Sequence, residues 1–128
     1  MRKIRILWTD DEIEALKPHI FFLREKGYDI DICYSGTDTI DLVKQNQYDL
    51  IFLDENMPGL SGIETLRLIK EIRSDIPVVM ITKHEEEGIM EAAIGAEISD
   101  YLIKPVKPNQ ILLAIKRITE QRRLITEK

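Results

Sequence analysis

The stretch YDLIFLDENMPGLSG, residues 48–62, decides the fold of this chain. Its four apolar residues from Leu50 to Leu53 run without interruption, which is typical of a parallel strand covered on both faces. The run ends abruptly in Asp54 and Glu55, and a Met-Pro-Gly turn follows. Acids at the end of a buried strand predict a site at that edge of the sheet.

Similar short segments, rich in Ile, Val, Leu and aromatic residues, predict five strands, at 4–8, 29–34, 49–54, 77–82 and 100–104. The third and fourth are almost wholly apolar, as central strands are, whereas the second alternates like an edge strand. Helical patterns occur at 11–27, 36–47, 61–73, 85–99 and 107–128. Alternating strands and helices with short connections predict a doubly wound α/β sheet.

Several residues predict how these helices begin and end. Ser61 and Glu64 have the spacing of a capping box, and Gly27 is placed to stop the first helix. We expect Pro18 to kink the first helix or to leave its first turn poorly formed. Gly88 and Gly95 lower the helix propensity of the fourth.

Composition limits the class of protein. The 128 residues suit one domain, 1–128, whose last helix has a polar extension over 120–128 that suggests a following domain. A hydrophobic content of 44% fits a globular protein, and a net charge of −5 argues against general nucleic-acid binding. The single Cys33 excludes an intramolecular disulfide. Without a membrane-length apolar run or a signal peptide, we expect a cytoplasmic location and no membrane insertion.

The acids of two strand ends are expected to meet. Asp10 and Asp11 follow the first strand, Asp54 ends the third, and ligands of such sheets bind beyond the carboxyl ends of the strands. Three neighbouring carboxylates repel one another, and a hard divalent cation such as Mg²⁺ compensates for that repulsion. Thr82 and Lys104 end the fourth and fifth strands, and a hydroxyl and an ammonium there suit a phosphoryl group attacked by an Asp.

These residues, in this order, resemble the CheY-like receiver domains of two-component response regulators. The resemblance extends from Lys3 to about Thr119 and includes the motifs LDENMPGLSGIE and Lys104-Pro105. It implies a flavodoxin-like (βα)5 fold with strand order 2-1-3-4-5. It also implies a signalling domain rather than an enzyme, phosphorylated by a sensor histidine kinase.

The resemblance implies the metal ligands. Asp11 and Asp54 would bind Mg²⁺ directly, together with the backbone carbonyl of Asn56. Asp10 would act through a metal-bound water.

The resemblance also implies the phosphoryl chemistry and the output. Asp54 would be the phosphoacceptor, Lys104 would bridge to it, and Thr82 and Tyr101 would form the switch. The Lys104-Pro105 peptide is expected to be cis. Phosphorylation would reshape the face formed by helix 4, strand 5 and helix 5, and so control an output domain, a protein partner or a symmetric homodimer.

Two features depart from or narrow this resemblance. Lys83 and His84 follow Thr82 where the family usually has a small residue, and we expect them to modulate the lifetime of the phosphoryl group. The segments ILWTDDEIEALKPHIFFLREKGYDI and LIFLDENMPGLSGIETLRLIKE are similar to PorX-type regulators, in which a PglZ-type, alkaline-phosphatase-like domain follows the receiver. That similarity implies a role in regulating type IX secretion.

Two other functions fit these residues less well. A Mg²⁺-dependent phosphohydrolase of the haloacid dehalogenase type would carry a second Asp where this chain has Asn56. A pseudo-receiver that binds partners without phosphorylation would be expected to lack Asp54, the acid pair or Lys104, and all are present.

Overall fold

The computed structural model describes residues 2–83 and 87–126, and it describes the side chains of these residues except those of 87 and 122–126. Five strands form one parallel sheet, and their order is β2-β1-β3-β4-β5. The doubly wound sheet and the order 2-1-3-4-5 are therefore confirmed. The strands are β1 (Arg5–Thr9), β2 (Asp29–Cys33), β3 (Leu50–Asp54), β4 (Val78–Thr82) and β5 (Asp100–Ile103).

Five α-helices connect and follow the strands: α1 (Lys17–Glu25), α2 (Gly36–Gln45), α3 (Gly62–Ile72), α4 (Glu87–Gly95) and α5 (Pro108–Thr126). The capping box of α3 is confirmed, because the Ser61 side chain accepts from Glu64 N while the Glu64 side chain accepts from Ser61 N. Gly27 follows α1 with a φ of +96°, the left-handed conformation that ends helices.

The start of α1 shows the effect of Pro18. The segment Ile13–Leu16 forms a 3-10 helix, and α1 proper begins with Pro18 in its first turn. Proline is tolerated there because the first-turn N–H groups have no partner within the helix. The predicted helix over 11–27 thus has an irregular first turn, as expected.

Two apolar layers cover the sheet. Every residue of β3 and of β4 is buried, which explains why the sequences of these two strands are apolar almost without interruption. On one face α1 and α5 pack over Trp8, whose ring contacts Phe52 at 5.1 Å between centroids. On the other face α2, α3 and α4 pack over Leu7, Leu53 and Met80. This double cover leaves the carboxyl edge of the sheet as the place where polar side chains collect.

Candidate functional site

The strand register brings three acids together. β1 pairs with β3 so that Thr9 lies opposite Leu53, and Asp10 and Asp54 are the next residues on the two strands. Each of Asp10, Asp11 and Asp54 offers a carboxylate oxygen, and these atoms all lie within 4.8 Å of one another. Asp10 and Asp54 are buried while Asp11 is exposed. The predicted convergence of the three carboxylates is confirmed, and they can hold a metal ion.

Lys104 is the cation of this cluster. Its Nζ lies 2.8 Å from Asp10 Oδ2 and 3.3 Å from Asp54 Oδ1. Its backbone N donates to the carbonyl of Thr82 at 2.7 Å, which fixes the end of β5 against the end of β4. The Lys104-Pro105 peptide is cis, as the resemblance implied. The expected bridge to Asp54 is present, but the shorter contact is to Asp10.

The acids and the lysine influence one another's ionisation. Burial, followed by the charge of Asp10, raises the pKa of Asp54 to about 6. Burial lowers the pKa of Lys104, but its hydrogen bond to Asp10 and the charge of Asp54 outweigh that effect, so the net direction is upward. Lys104 therefore remains an ammonium, and Asp54 is the carboxylate that is least well compensated.

The two buried acids differ in their hydrogen bonds. Asp10 Oδ1 accepts from Glu12 N at 2.8 Å, and Asp10 Oδ2 accepts from Lys104. Among the described residues, no donor meets buried Asp54 Oδ1 with good hydrogen-bond geometry, although the Lys104 ammonium forms an ion pair with it at 3.3 Å. A buried carboxylate oxygen paired this loosely is costly, and a bound cation would satisfy it. The donor set of three carboxylates fits a hard, oxygen-binding metal ion.

The structure places the other predicted site residues around this cluster. Thr82 is buried at the end of β4, beside the strand that carries Asp54. Tyr101 lies in β5 and packs half-buried against the apolar layer under α2, α3 and α4. Asn56 is exposed in the loop after β3, and its role as a carbonyl ligand stays a prediction. His84 lies outside the described residues.

Glu12 belongs to this region, although no sequence pattern singled it out. Lys83 Nζ donates to Glu12 Oε1 at 3.1 Å, and this hydrogen bond lowers the pKa of Glu12. The two residues are 71 positions apart and lie in loops, so no periodicity could have paired them. The only sequence signal was the unusual lysine after Thr82.

Glu55, the second acid of the opening stretch, has a structural role. Its Oε2 accepts from Ile63 N at 2.8 Å, so a buried carboxylate caps the N-terminus of α3. Gly62 permits this close approach, because a Cβ there would lie 2.5 Å from the Asp54 carbonyl oxygen. The packing of α3 therefore holds the backbone of Asp54 in place.

The sequence model of the response regulator receiver domain family matches residues 6–116. The chain belongs to the response regulator receiver domain family. This receiver domain is 34% identical over 114 residues to the transcriptional regulatory protein ResD of Bacillus subtilis, covering 89% of this chain and 47% of ResD. The chain spans about half the length of the curated relatives it matches.

Solved structures agree with this assignment. A receiver domain of Methanospirillum hungatei shares the fold with a TM-score of 0.91 at 23% identity, covering 95% of this chain and 98% of that one. The BeF3-activated receiver domain of DrrB is 26% identical, with a TM-score of 0.83, and covers 93% of this chain and 99% of that one. The family is a signalling module and not a class of enzyme. None of these matches bears on the narrower similarity to PorX-type regulators, which stays a prediction.

Within residues 2–83 and 87–126, no helix combines the length and apolarity needed to cross a membrane.

Proposed function

We propose that this receiver domain is a phosphoacceptor switch in which Asp54 receives a phosphoryl group from a sensor histidine kinase. The observation that carries the proposal is the position of Asp54, which is buried beside Asp10 and Asp11 with its Oδ1 held only by a 3.3 Å ion pair to the Lys104 ammonium among the described residues. An oxygen in this environment contributes little to the stability of the fold, but it is a suitable nucleophile.

The phosphoryl transfer involves Asp54, Lys104 and Thr82 of this chain. An oxygen of the Asp54 carboxylate forms a bond to phosphorus, the bond from phosphorus to the kinase imidazole nitrogen breaks, and that nitrogen keeps the electron pair. Lys104 and the Thr82 hydroxyl donate to phosphoryl oxygens, which carry more negative charge than a carboxylate. Asp54 must be ionised to attack, and in the metal-free site burial and the charge of Asp10 raise its pKa to about 6, so a bound cation would favour the reactive carboxylate form.

Mg²⁺ is the cofactor that we propose for this site. Asp11 and Asp54 would ligate it directly, with the Asn56 carbonyl, and Asp10 would contribute through water. When bound, Mg²⁺ neutralises the carboxylates and the phosphoryl oxygens during transfer. The exposed position of Asp11 and the burial of Asp54 suit an ion that keeps several waters on one side.

The output follows from the added charge. Movement of Thr82 toward the phosphoryl group, with Tyr101 swinging inward behind it, would bias the face formed by α4, β5 and α5. That face would control an output domain, a protein partner or a symmetric homodimer. The BeF3-activated form of DrrB supports an activated state of this fold. We place the chain in the cytoplasm, where phosphoryl donors made from ATP occur.

Intact mass spectrometry tests the proposal directly. The full chain is incubated with Mg²⁺ and phosphoramidate, beside Asp54→Asn and a chelator control. We expect one phosphoryl adduct that requires both Asp54 and the metal, and an unchanged adduct in Asp41→Asn, which alters an exposed acid of α2. A folded protein that gives no adduct would instead favour an interaction module that works without phosphorylation.

A further inference from the structure

One ion pair spans the carboxyl edge of the sheet. Glu12 lies in the loop after β1, Lys83 directly follows β4, and their charged groups are 3.1 Å apart. β3 lies between β1 and β4, so the pair crosses the end of the strand that carries Asp54.

The pair also lies on the rim of a cleft that leads to the acidic cluster. This cleft has a volume of about 460 Å³, and Glu12 and Lys83 line it together with Asp10 and Lys104. His19 and apolar side chains, including Leu16 and Val106, form its remaining wall. Glu12 and Lys83 therefore line an approach from solvent to Asp10 and Lys104 of the cluster.

The strength of this contact suits a reversible role. The Lys83 side chain is 49% exposed and that of Glu12 is 60% exposed, and ion pairs between exposed side chains contribute little net stability. An aspartyl phosphate would bring more charge than one carboxylate, with three strong acceptor oxygens. The phosphoryl group would thus compete successfully with Glu12 for the Lys83 ammonium.

We infer that Glu12 is a positioning residue for Lys83, and that Lys83 moves from Glu12 to the phosphoryl group of Asp54 and shields it from water. This inference rests on the proposed phosphorylation of Asp54. In the hydrolysis that it slows, a water oxygen bonds to phosphorus and the bond from phosphorus to the Asp54 oxygen breaks. The electron pair stays on the Asp54 carboxylate, and the water proton passes to the departing phosphate or to solvent. The Lys83 side chain occupies the opening through which that water arrives.

The test is a double-mutant cycle on the rate of phosphoryl loss. The full chain and the variants Lys83→Ala, Glu12→Gln and the double substitution are phosphorylated with phosphoramidate and Mg²⁺, freed of donor, and followed by intact mass. We expect Lys83→Ala to lose phosphate at least about fivefold faster, the effect of one charge-assisted hydrogen bond. Glu12→Gln releases Lys83 and should slow the loss by about twofold, because exposed ion pairs are weak.

The energetic coupling between Glu12 and Lys83 distinguishes shielding of the phosphoryl group by Lys83 from a general structural effect of the substitutions. In the double variant Glu12→Gln should have no further effect, since Lys83 is absent. Lys83→Arg should keep the slow rate, because it keeps the cation. Lys17→Ala, which breaks the exposed ion pair with Glu14 on another part of the surface, should leave the rate unchanged.

The outcomes distinguish this inference from the function on which it rests. Equal rates in all variants, or independent effects of Glu12 and Lys83, would overturn the partner exchange while the adduct on Asp54 still supports the phosphoacceptor. An absent adduct in the wild-type chain would overturn the proposed function and this inference with it.

Discussion

The Lys104 ammonium is shared unequally between two buried acids, at 2.8 Å from Asp10 and 3.3 Å from Asp54. The shorter contact goes to the acid that is not the proposed phosphoacceptor. Asp10 also accepts from Glu12 N, so its charge is compensated twice, whereas among the described residues Asp54 Oδ1 has only the longer ion pair with Lys104. The unphosphorylated site therefore concentrates its unsatisfied charge on Asp54, which is where a metal ion or phosphoryl chemistry would relieve it.

Removing this lysine should destabilise the fold. In metal-free buffer at pH 7 we expect Lys104→Met to lower the free energy of unfolding by on the order of 3 kcal/mol, because two buried carboxylates lose their cation. Urea denaturation measures the loss. Lys83→Met, which breaks the exposed pair with Glu12, is the matched control and should change stability little. Equal stability of the two variants would contradict the structural role of Lys104.

The raised pKa of Asp54 predicts a pH dependence of stability. Burial and the charge of Asp10 move this pKa from 3.8 to about 6 on folding, so the unfolded chain loses its proton first. The Asp54 contribution to stability therefore falls as pH rises from about 4 to about 6 and stays low above that. A shift of about two pKa units corresponds to about 3 kcal/mol. The free energy of unfolding of Asp54→Asn should therefore exceed that of the wild-type chain by up to this amount at pH 7 in metal-free buffer.

At pH 4 the Asp54→Asn substitution should raise the free energy of unfolding only slightly, because Asp54 is already protonated in the folded chain. Denaturation of both proteins at the two pH values gives the difference. Asp41→Asn, which changes an exposed acid, should show no such dependence. A gain for Asp54→Asn that is equal at pH 4 and pH 7 would rule out the titration of Asp54 as its cause.

Metal binding should stabilise the chain through the acidic cluster. Mg²⁺ that binds only the folded state raises the melting temperature in proportion to the logarithm of its concentration above Kd. We expect that rise in the wild-type chain and a much smaller one in Asp11→Asn, which removes an exposed carboxylate without altering the buried pair. Differential scanning fluorimetry with a Mg²⁺ series measures both. An undiminished rise in Asp11→Asn would remove this residue from the proposed ligand set.

Most of the fold and the acidic cluster could be predicted from sequence because both depend on local patterns. Buried strands have apolar sequences that are easy to recognise. Parallel strands end at one edge of the sheet, which brings Asp10, Asp11 and Asp54 together independently of the loop conformations. The capping box of Ser61 and Glu64 lies within four residues of sequence, so it too was predictable.

The remaining details depend on distances that the sequence does not encode. The pairing of Glu12 with Lys83 joins two loops far apart in the chain, and the preference of Lys104 for Asp10 reflects a difference of half an ångström between two contacts. The capping of α3 by Glu55 required knowing that the loop after β3 folds back onto the helix.

Gly62 should tolerate no side chain. A Cβ there would lie 2.5 Å from the Asp54 carbonyl oxygen and 2.7 Å from Glu55 Cα, both backbone atoms that cannot easily move. We expect Gly62→Ala to cost about 2 kcal/mol in urea denaturation. Gly88→Ala is the control, because a Cβ there meets nothing within 4 Å and alanine favours the helix. A loss in Gly88→Ala as large as that in Gly62→Ala would mean that close approach at the site is not the cause.

Phosphorylation should promote a homodimer through the surface of α4 and α5. Ile94 on α4 and Leu113 on α5 are large apolar residues with 63% and 66% of their surface exposed, so they are available to a partner at this surface. We expect light scattering to give a monomer mass without donor and a mass moving toward the dimer after phosphorylation. Ile94→Asp and Leu113→Asp should each raise the dimer Kd by about tenfold or more, because a buried charge replaces an apolar contact.

The matched control for the dimer is Phe21→Asp, which places the same charge on α1 at a residue that is 59% exposed. It should leave the dimer Kd unchanged, because α1 is not part of the proposed surface of α4 and α5. A weaker dimer in Phe21→Asp but not in the α4 and α5 variants would move the interface to α1. A mass that stays monomeric at high concentration, with Asp54 fully phosphorylated, would show that the switch acts on a different partner.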